Sequence, residues 1–202
     1  MSDLVEKGPI ALKEWAITVQ ALAEGEQIMV MRKGGIIEET RDFELISQAF
    51  YLMPAHEHQK EHLLKDSHKA KLSDLLEQGG LDRDKVKLDA YAEVALDIEI
   101  RDQETLDSLR AYHIWTDTFA EERLKWKKTK PLHLLLLRVY KLETPIEIPM
   151  RDAYNGCKSW VRIEDKLPEG TKMTPALSDS AFEEQLKLIT HALSIQPGEA
   201  HE

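Results

Sequence analysis

Within HEHQKEH, residues 56–62, His58, Glu61 and His62 fit the pattern H-x-x-E-H used by one class of zinc peptidases. On a helix, His58 and His62 would share a face and reach one zinc ion, with Glu61 as general base on a bound water. A catalytic zinc also needs a third protein ligand, and no second motif places one among Glu93, Glu99, His68 or His113. The match is short and the chain is rich in glutamate. The preferred reading is a surface helix whose histidines are solvated or paired with Glu57 and Glu61.

Arg32-Lys33-Gly34-Gly35 sets two cations beside flexible backbone, which could hold a phosphate through side chains and exposed amides. It is neither a Walker loop nor a dinucleotide fingerprint. A strand ending in RKGG before IIEE is like hydrolases of nucleoside diphosphate derivatives. The R-E-x-x-E-E helix of those enzymes is missing, and Glu38 and Glu39 alone do not replace it. The competing reading is a strand-terminal turn with glycines at positive φ.

Glu93, Asp97 and Glu99 share one face of a regular strand, with Asp102 beyond and Arg138 and Lys141 on another strand. Magnesium nucleases use converging carboxylates and a lysine, but the D…E-x-K spacing is not clean here. Ordinary half-buried sheet explains the alternation equally well.

HIWT and YNGCKSW combine large aromatics with small polar groups. Trp115 and Trp160 could stack on a base, with His113 beside the first, while Lys158 and Arg162 meet phosphate. Arg123, Lys125, Lys127, Lys128 and Lys130 add positive field. Against this, tryptophans are large core residues and lysines cover helix ends. Cys157 beside His113 or His133 could be a nucleophile, but a lone cysteine is more often buried filler.

The elements that must position these groups read as mixed α and β. Residues 15–20 and 28–33 alternate as two strands of a hairpin turned at Glu24-Gly25-Glu26; a helix over residues 11–23 competes. Part of 43–52 is strand, interrupted by Pro54. A helix spans about 58–78, with a break near Ser67. Residues 85–100 form a strand, and Asp102 caps a helix over 103–112, with more helix to about 128. LHLLLLRVYKL, residues 132–142, is a central strand, and PIEIP is extended. Trp160 to Ile163 is strand, LPEGTKMTP is loop, and Ser180 opens a capping box for a helix over 181–193. The fold class is α+β, with a mixed or mainly antiparallel sheet covered by helices. It is read as one domain over 1–202, with a candidate boundary between tightly packed subdomains near 79–85.

The 202 residues are enough for a sizeable core. A formal net charge of -10 works against non-specific binding to nucleic acid or an anionic membrane, though not against a local basic groove. One cysteine precludes an internal disulfide, no apolar run spans a bilayer, and MSDLVEKGPIALKEW has no apolar signal core. The expected location is the cytoplasm.

ALKEWA (11–16), EGEQI (24–28), RKGGI (32–36), EHQ (57–59), HIWT (113–116), PLHLLLLRVYKL (131–142) and YNGCKSWV (154–161) together resemble a bacterial, often cyanobacterial, uncharacterised family called domain of unknown function 1802. The resemblance runs from about residue 11 to at least 164. It implies one family-wide domain and brings no activity, cofactor or catalytic residue. YLMPAHEH departs from the family's pattern at Ala55 and His56.

The residues lean toward a cytoplasmic binding or accessory protein for a nucleic acid or nucleotide-like anion, using a basic-aromatic groove. A metal-assisted phosphodiester or pyrophosphate hydrolase competes, as does a structural module for a protein partner or a second copy of the chain. No cofactor is specified.

Overall fold

The structure, a computed structural model, describes residues 8–33, 43–79, 84–126, 130–156 and 158–194. Its strands are β1 (Ile10–Trp15), β2 (Met29–Arg32), β3 (Ala49–Ala55), β4 (Lys85–Ile100), β5 (Leu132–Pro149), β6 (Trp160–Arg162) and β7 (Met173–Pro175). Its α-helices are α1 (Ala16–Ala23), α2 (Asp66–Gly79), α3 (Gln103–Asp107), α4 (Asp117–Lys125) and α5 (Asp179–Ala192). The strands form one sheet in the order β2-β5-β4-β3-β1-β6, and β7 pairs with β5 off that path. β1 and β3 run parallel, and the other described pairs are antiparallel. The expected α+β class, with a largely antiparallel sheet flanked by helices, is what the chain adopts. No helix among the described residues is long and apolar enough to cross a membrane.

Alternation along the strands separates two faces. Leu12, Val30, Phe50, Leu52, Ala90, Ala92, Leu135, Leu137 and Val139 pack together on the inner face. Met29, Met31, Leu134, Leu136 and Ile100 turn outward and are covered by apolar residues of α2, α3, α4 and α5. A third cluster, including Ala11, Met53, Leu88, Ile148 and Val161, covers the rest of the outer face. The sheet curls strongly. β1 and β2 are separated in it by β3, β4 and β5, yet Arg32 of β2 reaches Glu14 of β1 at 3.1 Å.

β4 serves all three clusters because its phase changes twice. Leu88 pairs with Ile146 but Ala90 pairs with Lys141; Val94 pairs with Leu137 but Leu96 with Leu136. The second shift is a bulge at Ala95, and each shift exchanges inward and outward positions. Glu93 therefore lies on the outer face, while Asp97 and Glu99 lie on the inner one. The single shared carboxylate face expected for a regular strand does not form.

Residues 15–20 are the largest correction. Trp15 ends β1 and residues 16–20 belong to α1, not to a strand, and no hairpin joins β1 to β2: β1 pairs with β3 and β6, and β2 with β5. Helix α1 is wedged between two cores, with Ile17 and Ala21 on one and Val19, Leu22 and Ala23 on the other. Buried all round, it shows no polar face, so its β-branched run Ile17-Thr18-Val19 passes for strand.

Five smaller corrections follow the same logic of tertiary context. β3 runs through Pro54, whose missing N–H is tolerated because β4 has left that edge after Tyr51. The helix expected from residue 58 begins at Asp66. β5 continues through Pro145 to Pro149, and Met173–Pro175 is a strand on β5 instead of loop. α5 is capped by Ser178, which accepts from the Ala181 amide, not by Ser180. Asp102 caps α3 as expected, accepting from the Thr105 amide at 2.8 Å.

Gly25 ends α1 at φ 74, and a Cβ there would lie 2.7 Å from Leu177 Cδ2. Gly25→Ala combines left-handed strain with a side-chain clash and is expected to cost about 1–3 kcal/mol. Chemical denaturation measures it; a loss below about 0.5 kcal/mol would show that the turn and Leu177 relax freely.

Candidate functional site

The H-x-x-E-H stretch does not lie on a helix. His58 is in a turn at φ 62, and Glu61 and His62 belong to a short 3-10 turn, Glu61–Leu63. His58 and His62 therefore lack the shared helix face that a two-histidine site requires. All three side chains are exposed. Between them, Gln59 has a structural role: its Oε1 accepts the Ile17 amide of α1 at 3.0 Å. Trp15 precedes that helix and offers no side-chain cap, so Gln59 satisfies an amide otherwise orphaned at the helix start. Among the described residues, no group of three or more His, Cys, Asp or Glu could hold a metal ion.

The polar groups that do converge sit at one end of the curled sheet. Glu14 follows Leu12 by two residues and so faces inward, and Arg32 follows Val30 likewise. Both are buried, at 5% and 8% exposure. Arg32 Nη1 donates to Glu14 Oε2 at 3.1 Å, and Nη2 donates to Ser159 Oγ at 2.7 Å. Arg32 Nε is buried without a hydrogen-bond partner. Glu14 Oε1 accepts the Trp15 amide at 2.9 Å.

A second guanidinium stands close by. Arg123 of α4 lies over the Phe119 ring, 5.0 Å from its centroid, and makes no hydrogen bond among the described residues. Burial holds its pKa below the ordinary value, and the Arg32 charge adds to this, while Glu14 opposes it. Lys33, 2% exposed, donates to the Leu124 carbonyl at the end of α4, and burial lowers its pKa. Arg32 is thus paired with Glu14, and Arg123 stands near enough to feel both charges.

A cleft of about 380 Å³ opens at this end, lined by Lys33, Phe43, Glu99, Arg101, Lys130 and His133 among others. His133 is the register partner of Arg32 and bonds Asp97 at 2.9 Å. Arg101 pairs with Glu99 at 2.6 Å. The volume suits a ligand of nucleotide size.

The residues singled out from sequence fall into separate places. The Arg32–Ser159 bond brings Arg32 beside the 158–160 stretch. Trp160 belongs to the inner face: it stacks on Phe43 at 5.9 Å, meets Phe50 edge-on at 5.0 Å, and its indole N–H donates to the Glu44 carbonyl. Lys158 turns back to the Ala153 carbonyl at 3.0 Å. Arg162 is exposed on β6, opposite Ile10. Trp115 is 1% exposed, stacked on Phe119 at 4.9 Å on the outer face, away from Trp160. His113 is buried beside it at 5.5 Å. Gly34, Gly35, Glu38, Glu39, Lys127, Lys128 and Cys157 lie outside the described residues.

Glu14, Ser159 and Arg123 were not read as members of one site. Two of them do carry a local signal. Glu14 is a charge in an apolar phase of β1, and Arg123 follows Phe119 and Ala120 by four and three residues on the buried side of α4. A cation at an apolar helical position asks for a buried partner.

A curled, mainly antiparallel sheet with helices on its outer face and a polar mouth defines a mixed α+β domain. The chain belongs to the family described as Domain of unknown function (DUF1802), whose model matches residues 11–187. No curated protein matches it. Two crystal structures are similar over most of both chains, and both are point mutants of ZmASCH from Zymomonas mobilis. The serine-to-alanine mutant protein is 9% identical, covering 90% of this chain and 96% of that one, at a TM-score of 0.40. The tyrosine-to-phenylalanine mutant protein is 10% identical, covering 89% and 96%, at 0.39. Likeness at this level carries no argument about activity.

Proposed function

We propose that the protein is a cytoplasmic binding or accessory protein for a nucleotide or nucleic acid, and that Arg32 and Arg123 hold a phosphate group at the mouth of the sheet. One observation carries this reading: the Arg123 guanidinium stands near enough to the Arg32–Glu14 pair to feel both charges and, among the described residues, is bonded to neither. Among the described residues, the fork of Arg32 is occupied by Glu14 and Ser159, with Nε left over, and Arg123 meets a ring and no hydrogen-bond acceptor. Buried cations are stable when paired, and an anion is the partner this arrangement lacks. Guanidinium forks match phosphate oxygens in pairs, and the adjoining cleft has room for the rest of a nucleotide.

Arg123→Gln keeps the length of a packed side chain and removes the charge. It is expected to weaken binding of a labelled oligoribonucleotide by roughly ten- to a hundred-fold, the value of a charge-assisted pair. It should also flatten the dependence of log affinity on log salt by about one phosphate contact. Anisotropy titrations at several salt concentrations measure both. Equal affinity and slope in Arg123→Gln and the parent would rule the arginine pair out as the phosphate site.

A further inference from the structure

We infer that the ligand is single-stranded and that Trp126 stacks on one of its bases, a step that rests on the phosphate reading of the arginine pair. Of the four tryptophans, three have their rings covered by the fold. Trp15 packs on Phe119 at 5.3 Å, Trp115 stacks on the same ring at 4.9 Å, and Trp160 stacks on Phe43 at 5.9 Å. Trp126 is 47% exposed, and among the described residues its ring meets no other ring and its indole N–H has no acceptor.

Its position ties it to the cations. Trp126 caps the C-terminus of α4, its amide bonding the Glu122 carbonyl. It is three residues beyond Arg123 and two beyond Leu124, whose carbonyl is held by the cleft-lining Lys33. Lys125 precedes it and is 65% exposed. The clamp from Lys33 to the end of α4 fixes the backbone from which both Arg123 and Trp126 project.

A large ring left in water three residues along the chain from a half-buried guanidinium contributes little to the core. It is what a ligand with a flat apolar part requires. Bases in a duplex are stacked on one another and hide their faces; bases in a single strand can leave the stack for an aromatic side chain. An exposed indole next to a phosphate-binding guanidinium therefore fits a single strand, with the arginines taking backbone and Trp126 taking a base.

The test compares three labelled probes: a short single-stranded oligoadenylate, its duplex with oligouridylate, and inorganic polyphosphate. The parent protein is expected to bind the single strand more tightly than the duplex. Trp126→Ala should lose roughly ten-fold for the single strand and leave polyphosphate unchanged, and Trp126→Phe should recover most of the loss. Because the side chain is exposed, truncation leaves the core intact. Unchanged single-strand binding in Trp126→Ala, with Arg123→Gln still weakened, overturns the stacking role and leaves the arginine reading standing. Parent protein that prefers the duplex, or binds polyphosphate alone, also overturns it. If Arg123→Gln weakens neither polyanion, the arginine reading fails and this inference falls with it.

Discussion

Glu14→Ala lowers the stability of the folded chain by about 3–5 kcal/mol, the cost of leaving a buried charge without its partner. Glu14 and Arg32 are nearly inaccessible, at 5% and 8% exposure, and Arg123 stands close enough for its charge to be felt. Removing the carboxylate leaves the Arg32 guanidinium without its partner in a poorly solvated place, with the Arg123 charge still close enough to be felt. The double variant Glu14→Leu/Arg32→Met should be less destabilised than Glu14→Ala, because it removes the stranded charge along with the pair. Binding should move the other way. With its internal anion gone, the Glu14→Ala site has more unmatched positive charge, so polyphosphate should bind it more tightly and recover part of the lost stability. Urea titrations with and without polyphosphate test both signs. A loss under about 1 kcal/mol would show that the pair is solvated well enough to behave as a surface contact.

Acidification to about pH 4 removes roughly 3 kcal/mol through His113 alone. Its imidazole is 5% exposed, and among the described residues neither ring nitrogen has a hydrogen-bond partner. Burial, then the charge of Lys65, pushes its pKa from an ordinary 6.5 down to about 4, while the Trp115 backbone and Asp117 pull the other way. The depressed value means that the fold keeps the ring neutral while the unfolded chain takes up a proton. The His113 contribution is therefore complete above about pH 6.5 and is lost as pH falls toward about 4. His113→Phe replaces an unpartnered polar ring by an apolar one of similar shape. It should be neutral or stabilising at neutral pH, and it should flatten the stability curve between those two pH values. If His113→Phe keeps the parent's slope there, another group is responsible for the acid loss.

What the sequence made legible depended on how each element is surrounded. β4 and the apolar part of β5 could be read because alternation or a continuous apolar run survives wherever a strand has two defined faces. α5 could be read from its capping serines and apolar stripe, although the cap fell on Ser178 instead of Ser180. α1 could not. A helix with core on every side has no periodicity, and Ile17-Thr18-Val19 then speaks for strand. The H-x-x-E-H pattern failed for a related reason: its spacing has meaning only on a helix, and the chain there is a turn with His58 at positive φ. At the candidate site, Arg32 and the 158–160 stretch were both noticed, and nothing local announced that Arg32 would meet Ser159. That contact is made by the curl of the sheet, a property of the register of several strands together. Arg123 was counted among the basic residues as diffuse field, although its spacing from Phe119 already marked it as inward-facing.

The two breaks in the alternation of β4 act like changes of reading frame. Before the first, even-numbered residues belong to the outer face; between the two they belong to the inner face; after the second they are outer again. Each segment's chemistry is correct only in its own frame. Deleting the single residue Ala95 would merge the last two frames. Leu96 and Ile98 would keep their place beneath the helices and Asp97 and Glu99 theirs at the polar mouth, because Val94 and Leu96 already pair with the adjacent residues Leu137 and Leu136 and Ala95 is the extra residue between them. A one-residue deletion at the bulge thus spares the faces that a one-residue deletion within a regular run of the strand would exchange.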